Sequence, residues 1–304
     1  MENKKRVNCV FEGGGVKGIG LVGALSVFQE SGYEFANVAG TSAGAIVAAL
    51  VAAGYDTDAL KHIVESIDYN KIKDKSFLDK IPLLGVVSSF IFEKGIFEGA
   101  YFEALMRDLL LKAPVPVRTF KDLRRHAPDG SGTAYSLQVI AADLTRGKML
   151  VLPDDITDYG MDPDELDVAR AVRMSMSIPY FFEPVILTDK ETKYYIVDGG
   201  ILSNYPVWLF DGIQGANTIG FRLVEPETGR QHNITGPLSL FLALFTTMLE
   251  AHDQRYIKDR DYVRSVMIPT LGVKTTDFDL DDEKRDALYQ SGVDSANRFL
   301  ERYK

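Results

Sequence analysis

A serine at the centre of the pentapeptide GTSAG, residues 40–44, is the first side chain that could act as a nucleophile. The pattern G-x-S-x-G is typical of a serine on a sharp turn between a strand and a helix, with its hydroxyl exposed at the sheet edge. Gly40 and Gly44 would let the backbone pass closely on either side of Ser42. A Thr or Ser that merely caps the next helix gives the same pattern, so the pentapeptide needs a structural context.

The segments around Ser42 supply that context. Residues 35–39 predict a short strand, and residues 43–53 are apolar on every side, which predicts a helix in the middle of the fold. The N terminus of such a helix presents free backbone N–H groups and a positive dipole to a developing negative charge. The position of Ser42 at this junction therefore favours a nucleophile over a simple cap.

A second glycine turn, GGGVKG at 13–18, follows a predicted strand at 6–11 and opens a predicted helix at 16–31. Three of its glycines satisfy the dinucleotide pattern G-x-G-x-x-G. That class of site needs an acidic residue at the end of the next strand, and this chain has none there. A phosphate-binding P-loop is excluded because Lys17 is followed by Gly18 instead of Ser or Thr.

The glycine turn is better explained as an oxyanion hole. The N–H groups of Gly14 and Gly15, unobstructed by side chains, could point at the anionic oxygen of a tetrahedral intermediate, and the N–H of Ala43 would join them. Both turns follow consecutive strands that we expect to be parallel, so both should open at the same edge of the sheet. The pair of turns favours acyl transfer over nucleotide binding.

Asp198 is the best-placed base for the serine. It ends a predicted strand at 194–198 and is followed by Gly199 and Gly200, which allow backbone to pack tightly around the carboxylate. A D-G-G hairpin turn is the structural alternative for these three residues.

Histidine, the usual partner of a catalytic serine, occurs four times, as His62, His126, His232 and His252. None of the four directly follows a predicted strand. The chain order Ser42, Asp198, His252 does match that of α/β-hydrolases, so a triad with His252 stays open.

Alternating strands and helices in the first 53 residues predict parallel strands joined by crossover helices. Later strands are predicted at 133–143, 194–198 and 216–223. Later helices are predicted at 57–67, 98–112, 164–174, 236–252 and 281–303.

Composition narrows the classes of partner. The net charge of -9 and the pI of about 5.1 argue against nucleic acid and against simple electrostatic docking on anionic membranes. The single cysteine, Cys9, excludes an intrachain disulfide and is expected in the core. With no signal peptide or spanning segment visible, we expect a cytoplasmic enzyme, and export as an effector stays open.

Three motifs together resemble the patatin-like phospholipase family: EGGGVKG at 12–18, GTSAG at 40–44 and DGG at 198–200. The resemblance extends through blocks at 139–148, 168–185 and 201–207, and covers about residues 5–223. Glu12 stands where many members carry Asp, and Lys17 where many carry Arg.

The resemblance implies a three-layer α/β/α fold with a mainly parallel central sheet and a Ser–Asp dyad without histidine. It implies hydrolysis of acyl esters of phospholipids and other lipids, with no metal or cofactor, by Ser42 as nucleophile and Asp198 as base. The oxyanion turn would comprise Gly13, Gly14, Gly15 and Val16. Supporting motif positions are Lys17, Gly18, Gly40, Gly44, Gly199 and Gly200. We expect a catalytic domain at 5–223 and a helical extension at 224–304 packed on it.

Other functions remain open at this stage. An acyltransferase would pass the acyl group to an alcohol instead of water, and a non-catalytic module would only bind lipid or a partner. Residues 81–97 and 237–249 are apolar enough to meet lipid, although packing in the core is the commoner explanation. Arg170 and Arg173 could contact a lipid phosphate or lie on a solvated face. Oligomeric state cannot be predicted.

Overall fold

The chain forms a mixed, mostly parallel β-sheet flanked by helices. In no described range is a helix long and apolar enough to cross a membrane. The computed structural model describes residues 5–66, 96–126, 133–179, 181–213, 216–225, 234–236, 239–240, 243–248, 259–275, 277 and 280–303.

The strands are β1 (Lys5–Phe11), β2 (Tyr33–Thr41), β3 (Arg124–His126), β4 (Thr133–Tyr135), β5 (Leu137–Asp143), β6 (Lys148–Leu152), β7 (Val185–Asp189), β8 (Thr192–Asp198), β9 (Asn217–Val224) and β10 (Ser265–Pro269). The α-helices are α1 (Gly18–Glu30), α2 (Ala43–Ala52), α3 (Thr57–Ser66), α4 (Ile96–Leu111), α5 (Val168–Ser175), α6 (Asp259–Val263) and α7 (Asp282–Arg302). Short 3-10 turns include Gly15–Lys17 before α1 and Gly199–Ile201 after β8.

The central sheet has the order β10, β9, β1, β2, β5, β8, β7, with β6 also paired to β5. Neighbours from β10 to β5 are parallel, whereas β6, β8 and β7 join by antiparallel pairs. The consecutive strands β1 and β2 are parallel, as the sequence predicts. The turns that follow them therefore open at the same edge.

Side chains alternate between the two faces of this sheet, because successive residues of a strand point in opposite directions. Cys9 and Phe11 belong to the main apolar core, which also contains side chains of α1 and α2. Val10 and Ala39 lie in a separate small cluster with Phe210. The burial predicted for Cys9 is confirmed.

Four strands are not predicted from the sequence, namely β3, β6, β7 and β10. The predicted strand at 133–143 is two strands, β4 and β5, and the predicted helix at 164–174 begins only at Val168, where Asp167 caps α5. The C-terminal segment contributes β10 to the sheet as well as the helix α7. Most of 81–97 lies outside the described residues. In 237–249, Leu240, Leu244 and Met248 are exposed, whereas Ala243 and Phe245 are buried.

Helices α1 and α7 touch backbone to backbone through glycines. A Cβ at Gly292 would overlap with the carbonyl oxygen of Gly20, and a Cβ at Gly23 would overlap with that of Tyr289. The position of α1 matters for the site, since the glycine turn runs directly into it.

Gly292→Ala is therefore expected to lower the free energy of unfolding by about 1–3 kcal/mol, because the new methyl meets backbone that cannot move aside. Intrinsic helix propensity alone would act in the opposite direction, by about 1 kcal/mol. Urea unfolding of wild type and variant measures the difference. The control is Gly212→Ala, where a Cβ meets nothing within 4 Å. A Gly292→Ala protein as stable as the wild type would contradict this packing.

Candidate functional site

Strands β2 and β8 run toward each other along one edge of β5. Thr41, the last residue of β2, is paired with Ile140, and Asp198, the last residue of β8, is paired with Ala141. Strand β6 pairs with β5 across both positions and so occupies the opposite edge. The two strands thus end at adjacent residues of β5, and Ser42 faces the end of the strand that carries Asp198.

The Asp198 carboxyl is buried next to Ser42. Burial raises its pKa to about 7, against smaller lowering effects from the Gly200 backbone N–H and the Ser42 hydroxyl. Oδ1 accepts the Gly200 N–H at 2.8 Å, whereas the buried Oδ2 accepts no hydrogen bond from any described residue. An acceptor left open in this way is costly and is characteristic of a functional group. A pKa near neutrality suits a general base.

Ser42 sits on a strained turn with φ 53° and ψ −125°. Its backbone N–H donates to Ser175 Oγ at 2.8 Å, and Ser175 in turn donates to the Ile140 carbonyl at 2.6 Å. The Ser42 hydroxyl lies 3.5 Å from the thioether sulfur of Met176, a weak acceptor. Apart from this weak contact, the hydroxyl lies close enough to the Asp198 carboxyl to lower its pKa.

The glycines around Ser42 and Asp198 lie where the backbone of neighbouring segments approaches closely. A Cβ at Gly40 would overlap with the carbonyl of Gly44, and a Cβ at Gly44 would overlap with that of Phe11. A Cβ at Gly199 would overlap with the carbonyl of Ile140. Side chains at these positions would push the turns that carry Ser42 and Asp198 off the sheet.

The glycine turn lies beside the serine turn. Phe11 pairs with Gly40, so residues 13–18 leave β1 next to the end of β2. A Cβ at Gly13 would lie 3.2 Å from Ser42 Cβ and would overlap with the Asn204 side-chain oxygen. The two turns predicted to cooperate are thus in contact.

Two backbone N–H groups of the glycine turn already donate hydrogen bonds within the protein. The Gly13 N–H donates to the Asn204 carbonyl at 3.1 Å, and the Val16 N–H donates to the Thr275 carbonyl at 3.4 Å. Neither N–H is free for a substrate, although the sequence analysis places both residues in the oxyanion turn.

Three N–H groups near Ser42 have no acceptor among the described residues. Gly14 and Gly15 contribute two of them from the glycine turn, and Ala43 contributes the third from the first position of α2. Free N–H groups of this kind, next to a helix N terminus, can stabilise an oxyanion.

The side chain of Lys17 is engaged within the protein. Its ammonium is buried and forms a salt bridge with Glu225 at 3.0 Å. Glu12 is buried as well, with its carboxylate accepting the Leu223 N–H. Gly18 begins α1. These positions fix the turn on the sheet.

Arg173 is buried, so it neither faces solvent nor is placed to meet a lipid phosphate, and both predictions for it are wrong. Its guanidinium is buried, donates to Ser177 Oγ and to the Glu183 carbonyl, and lies over the Phe182 ring. Burial lowers its pKa from the ordinary value. Arg170 is partly buried, with its Nε lacking a described partner.

Among the described residues, no recorded contact joins a histidine to Ser42 or Asp198. His62 is on α3 with an exposed side chain near Glu65, and His126 is in the short β3–β4 hairpin. His232 and His252 lie outside the described residues. No group of His, Cys, Asp and Glu in the described part of the chain is arranged to hold a metal ion.

Sequence reasoning missed three residues that hold the site. Ser175 accepts the Ser42 N–H, Ser177 accepts the Asp198 N–H through its carbonyl at 2.9 Å, and Asn204 bonds the glycine turn. All three lie in the blocks 168–185 and 201–207, which extend the family resemblance. Membership in these blocks was the one sequence feature that could have indicated them.

Known proteins resemble this chain over most of its length. The model of the patatin-like phospholipase family matches residues 9–211. The uncharacterized protein YqhO of Bacillus subtilis is 43% identical over 300 residues, covering 98% of this chain and 99% of that protein. The probable lipid hydrolase 463L of invertebrate iridescent virus 6 is 26% identical over 199 residues, covering 65% of this chain and 61% of that protein.

Among solved structures, VipD from Legionella pneumophila superposes with a TM-score of 0.60 at 18% identity, covering 98% of this chain and 67% of that chain. At this identity the likeness concerns the fold alone. The family match spans two thirds of the sequence and includes the serine turn, the glycine turn and Asp198. The chain therefore belongs to the patatin-like phospholipase family.

Proposed function

We propose that this protein is a serine lipid-acyl hydrolase, of the phospholipase A or lysophospholipase type, in which Ser42 is the nucleophile and Asp198 the base. The observation that carries the proposal is the meeting of β2 and β8 on adjacent residues of β5, with a buried, unpaired carboxylate oxygen beside a serine on a strained turn. The substrate class follows from the family, whose members act on lipid esters.

In the first half-reaction, Ser42 Oγ attacks the ester carbonyl carbon while its proton passes to Asp198. The carbonyl oxygen becomes an oxyanion, which we place on the N–H groups of Gly14, Gly15 and Ala43. Collapse of the intermediate breaks the bond to the alcohol, which takes the proton from Asp198. The product is an acyl ester on Ser42.

The second half-reaction releases the fatty acid. Asp198 takes a proton from water, the hydroxide attacks the acyl carbonyl, and the new oxyanion occupies the same N–H groups. Breaking the bond to Ser42 Oγ frees the fatty acid, and the proton held by Asp198 returns to the serine. One side chain therefore serves as base and acid in both halves.

Ser42→Ala and Asp198→Asn should each abolish ester hydrolysis, with at least a 10³-fold loss in kcat, because the first removes the nucleophile and the second its proton acceptor. The assay measures fatty acid released from a panel of phospholipids and from a short soluble ester. Ser26→Ala is the matched control, since Ser26 is a buried serine whose hydroxyl donates to Gly23 within α1.

Further variants separate the rival mechanisms. His232→Ala and His252→Ala should retain activity, and loss with either one would favour a triad. Adding an acceptor alcohol and analysing the products distinguishes acyl transfer from hydrolysis. A wild-type protein with no Ser42-dependent hydrolysis of any lipid ester would overturn the proposal.

The pH dependence of kcat/KM should follow the ionisation of Asp198. Its pKa of about 7 in the folded protein means that the base is lost as pH falls, so activity should drop about tenfold per pH unit below 7 and level off above. Initial rates on the soluble ester measure the profile, with circular dichroism at each pH as the check on folding. A rate that stays constant down to pH 5 would contradict a catalytic base with a raised pKa.

A further inference from the structure

The three N–H groups proposed to hold the oxyanion each belong to a peptide unit whose carbonyl points the opposite way. In a trans peptide, the C=O and the N–H are fixed in one plane and directed apart. The Gly14 N–H is thus tied to the Gly13 carbonyl, the Gly15 N–H to the Gly14 carbonyl, and the Ala43 N–H to the Ser42 carbonyl. A hydrogen bond that holds the carbonyl also aims the N–H.

Two of the three carbonyls are held by backbone. The Ser42 carbonyl accepts from the N–H groups of Ala45 and Ile46 at 2.9 and 3.3 Å. The Gly14 carbonyl accepts from the Lys17 N–H at 3.2 Å. These bonds form whenever α2 and the 3-10 turn form, so the corresponding donors are aimed by secondary structure.

The third carbonyl is held by a side chain. The Asn204 Nδ2 donates to the Gly13 carbonyl at 3.2 Å in a buried setting. Two further hydrogen bonds hold Asn204 beside the glycine turn. The Asn204 carbonyl accepts the Gly13 N–H, and the neighbouring Ser203 carbonyl accepts from Thr41 Oγ1 at 3.0 Å. Asn204 is 5% exposed and leaves no room for a side chain at Gly13.

We propose that Asn204 is a positioning residue that aims the Gly14 N–H into the oxyanion site by holding the carbonyl of the same peptide unit. The bond also polarises that peptide, which makes its N–H a stronger donor. Asn204 lies six residues after Asp198 in the sequence, so one short segment carries the base and orients an oxyanion donor. This inference rests on the proposed function of the Ser42 site.

Asn204→Asp tests the inference because it keeps the shape and replaces the donor with an oxygen that repels the Gly13 carbonyl. Asn204→Ala removes the donor without adding charge. Both variants should lower kcat on a soluble ester by about 10–100-fold, less than the 10²–10³-fold typical of deleting a donor outright, with KM changed less than threefold. Rates are divided by the number of sites titrated with a fluorophosphonate, so that only folded enzyme is counted.

The affinity for a tetrahedral inhibitor distinguishes this role from a purely structural one, because loss of structure alone would not weaken that inhibitor selectively. An alkyl boronic acid forms an anionic adduct with a catalytic serine, and its Ki should rise in both variants by the same factor as kcat/KM falls. Binding of a non-reactive ester analogue should stay unchanged. Equal weakening of both ligands would contradict a role in aiming the donor.

Asn8→Asp is the matched control. Asn8 is also buried and donates from Nδ2 to a backbone carbonyl, that of Ala216, at 3.3 Å. It lies within β1, before the strand reaches the glycine turn. The Asn8→Asp protein should be less stable than the wild type but keep its kcat per titrated site. If wild type hydrolyses the ester in a Ser42-dependent way and Asn204→Ala keeps its kcat, the inference fails while the proposed function stands. If wild type shows no such hydrolysis, the proposed function itself fails.

Discussion

The burial of the Asp198 carboxyl against Ser42 is the constraint on which the rest of the structure depends. An aspartate in water ionises near pH 3.8, whereas burial raises the pKa of this one to about 7. Between these values the folded protein holds a proton that the unfolded chain has lost, so folding stability falls as pH rises through that range. In return, the folded protein holds a carboxyl that is half ionised near neutrality, as the proposed role of general base requires.

The backbone strain at Ser42 is a second cost in folding free energy, and surrounding groups offset it. A non-glycine residue at φ 53° is strained by about 1–3 kcal/mol. Ser175 holds the Ser42 N–H, and the helix α2 begins at the next residue, so the strained geometry is over-determined. The end of α5 also reaches the base, because the carbonyl of Ser177 accepts the Asp198 N–H. One helix end therefore sets the spacing between Ser42 and Asp198.

Local sequence predicted the parts of the site that depend on local geometry. The turns after β1 and β2, the buried helix α2 and the strand ending at Asp198 all carry glycines or apolar runs that allow few other conformations. The sequence did not show that β8 is antiparallel to β5 and meets β2 end to end. That arrangement is set by pairing across more than 50 residues of chain.

The missed features share this non-local origin. Strands β6, β7 and β10 have five residues each, too few for a periodic pattern to stand out. Arg173 looks like a surface or phosphate-binding residue in sequence, yet α5 packs against α4 and buries its guanidinium. Asn204 and Ser175 act through hydrogen bonds to residues 191 and 133 positions away. Such partners are visible only once the chain is folded.

The most direct measurement of the central claim is covalent capture of the nucleophile. The protein is incubated with an alkyl fluorophosphonate, which phosphonylates serines that have an adjacent base and an oxyanion site, and the adduct is located by mass spectrometry of the digested peptides. We expect one adduct per chain, on Ser42, that forms far more slowly in Asp198→Asn. Labelling of another residue, or labelling of Ser42 at the same rate without Asp198, would contradict it.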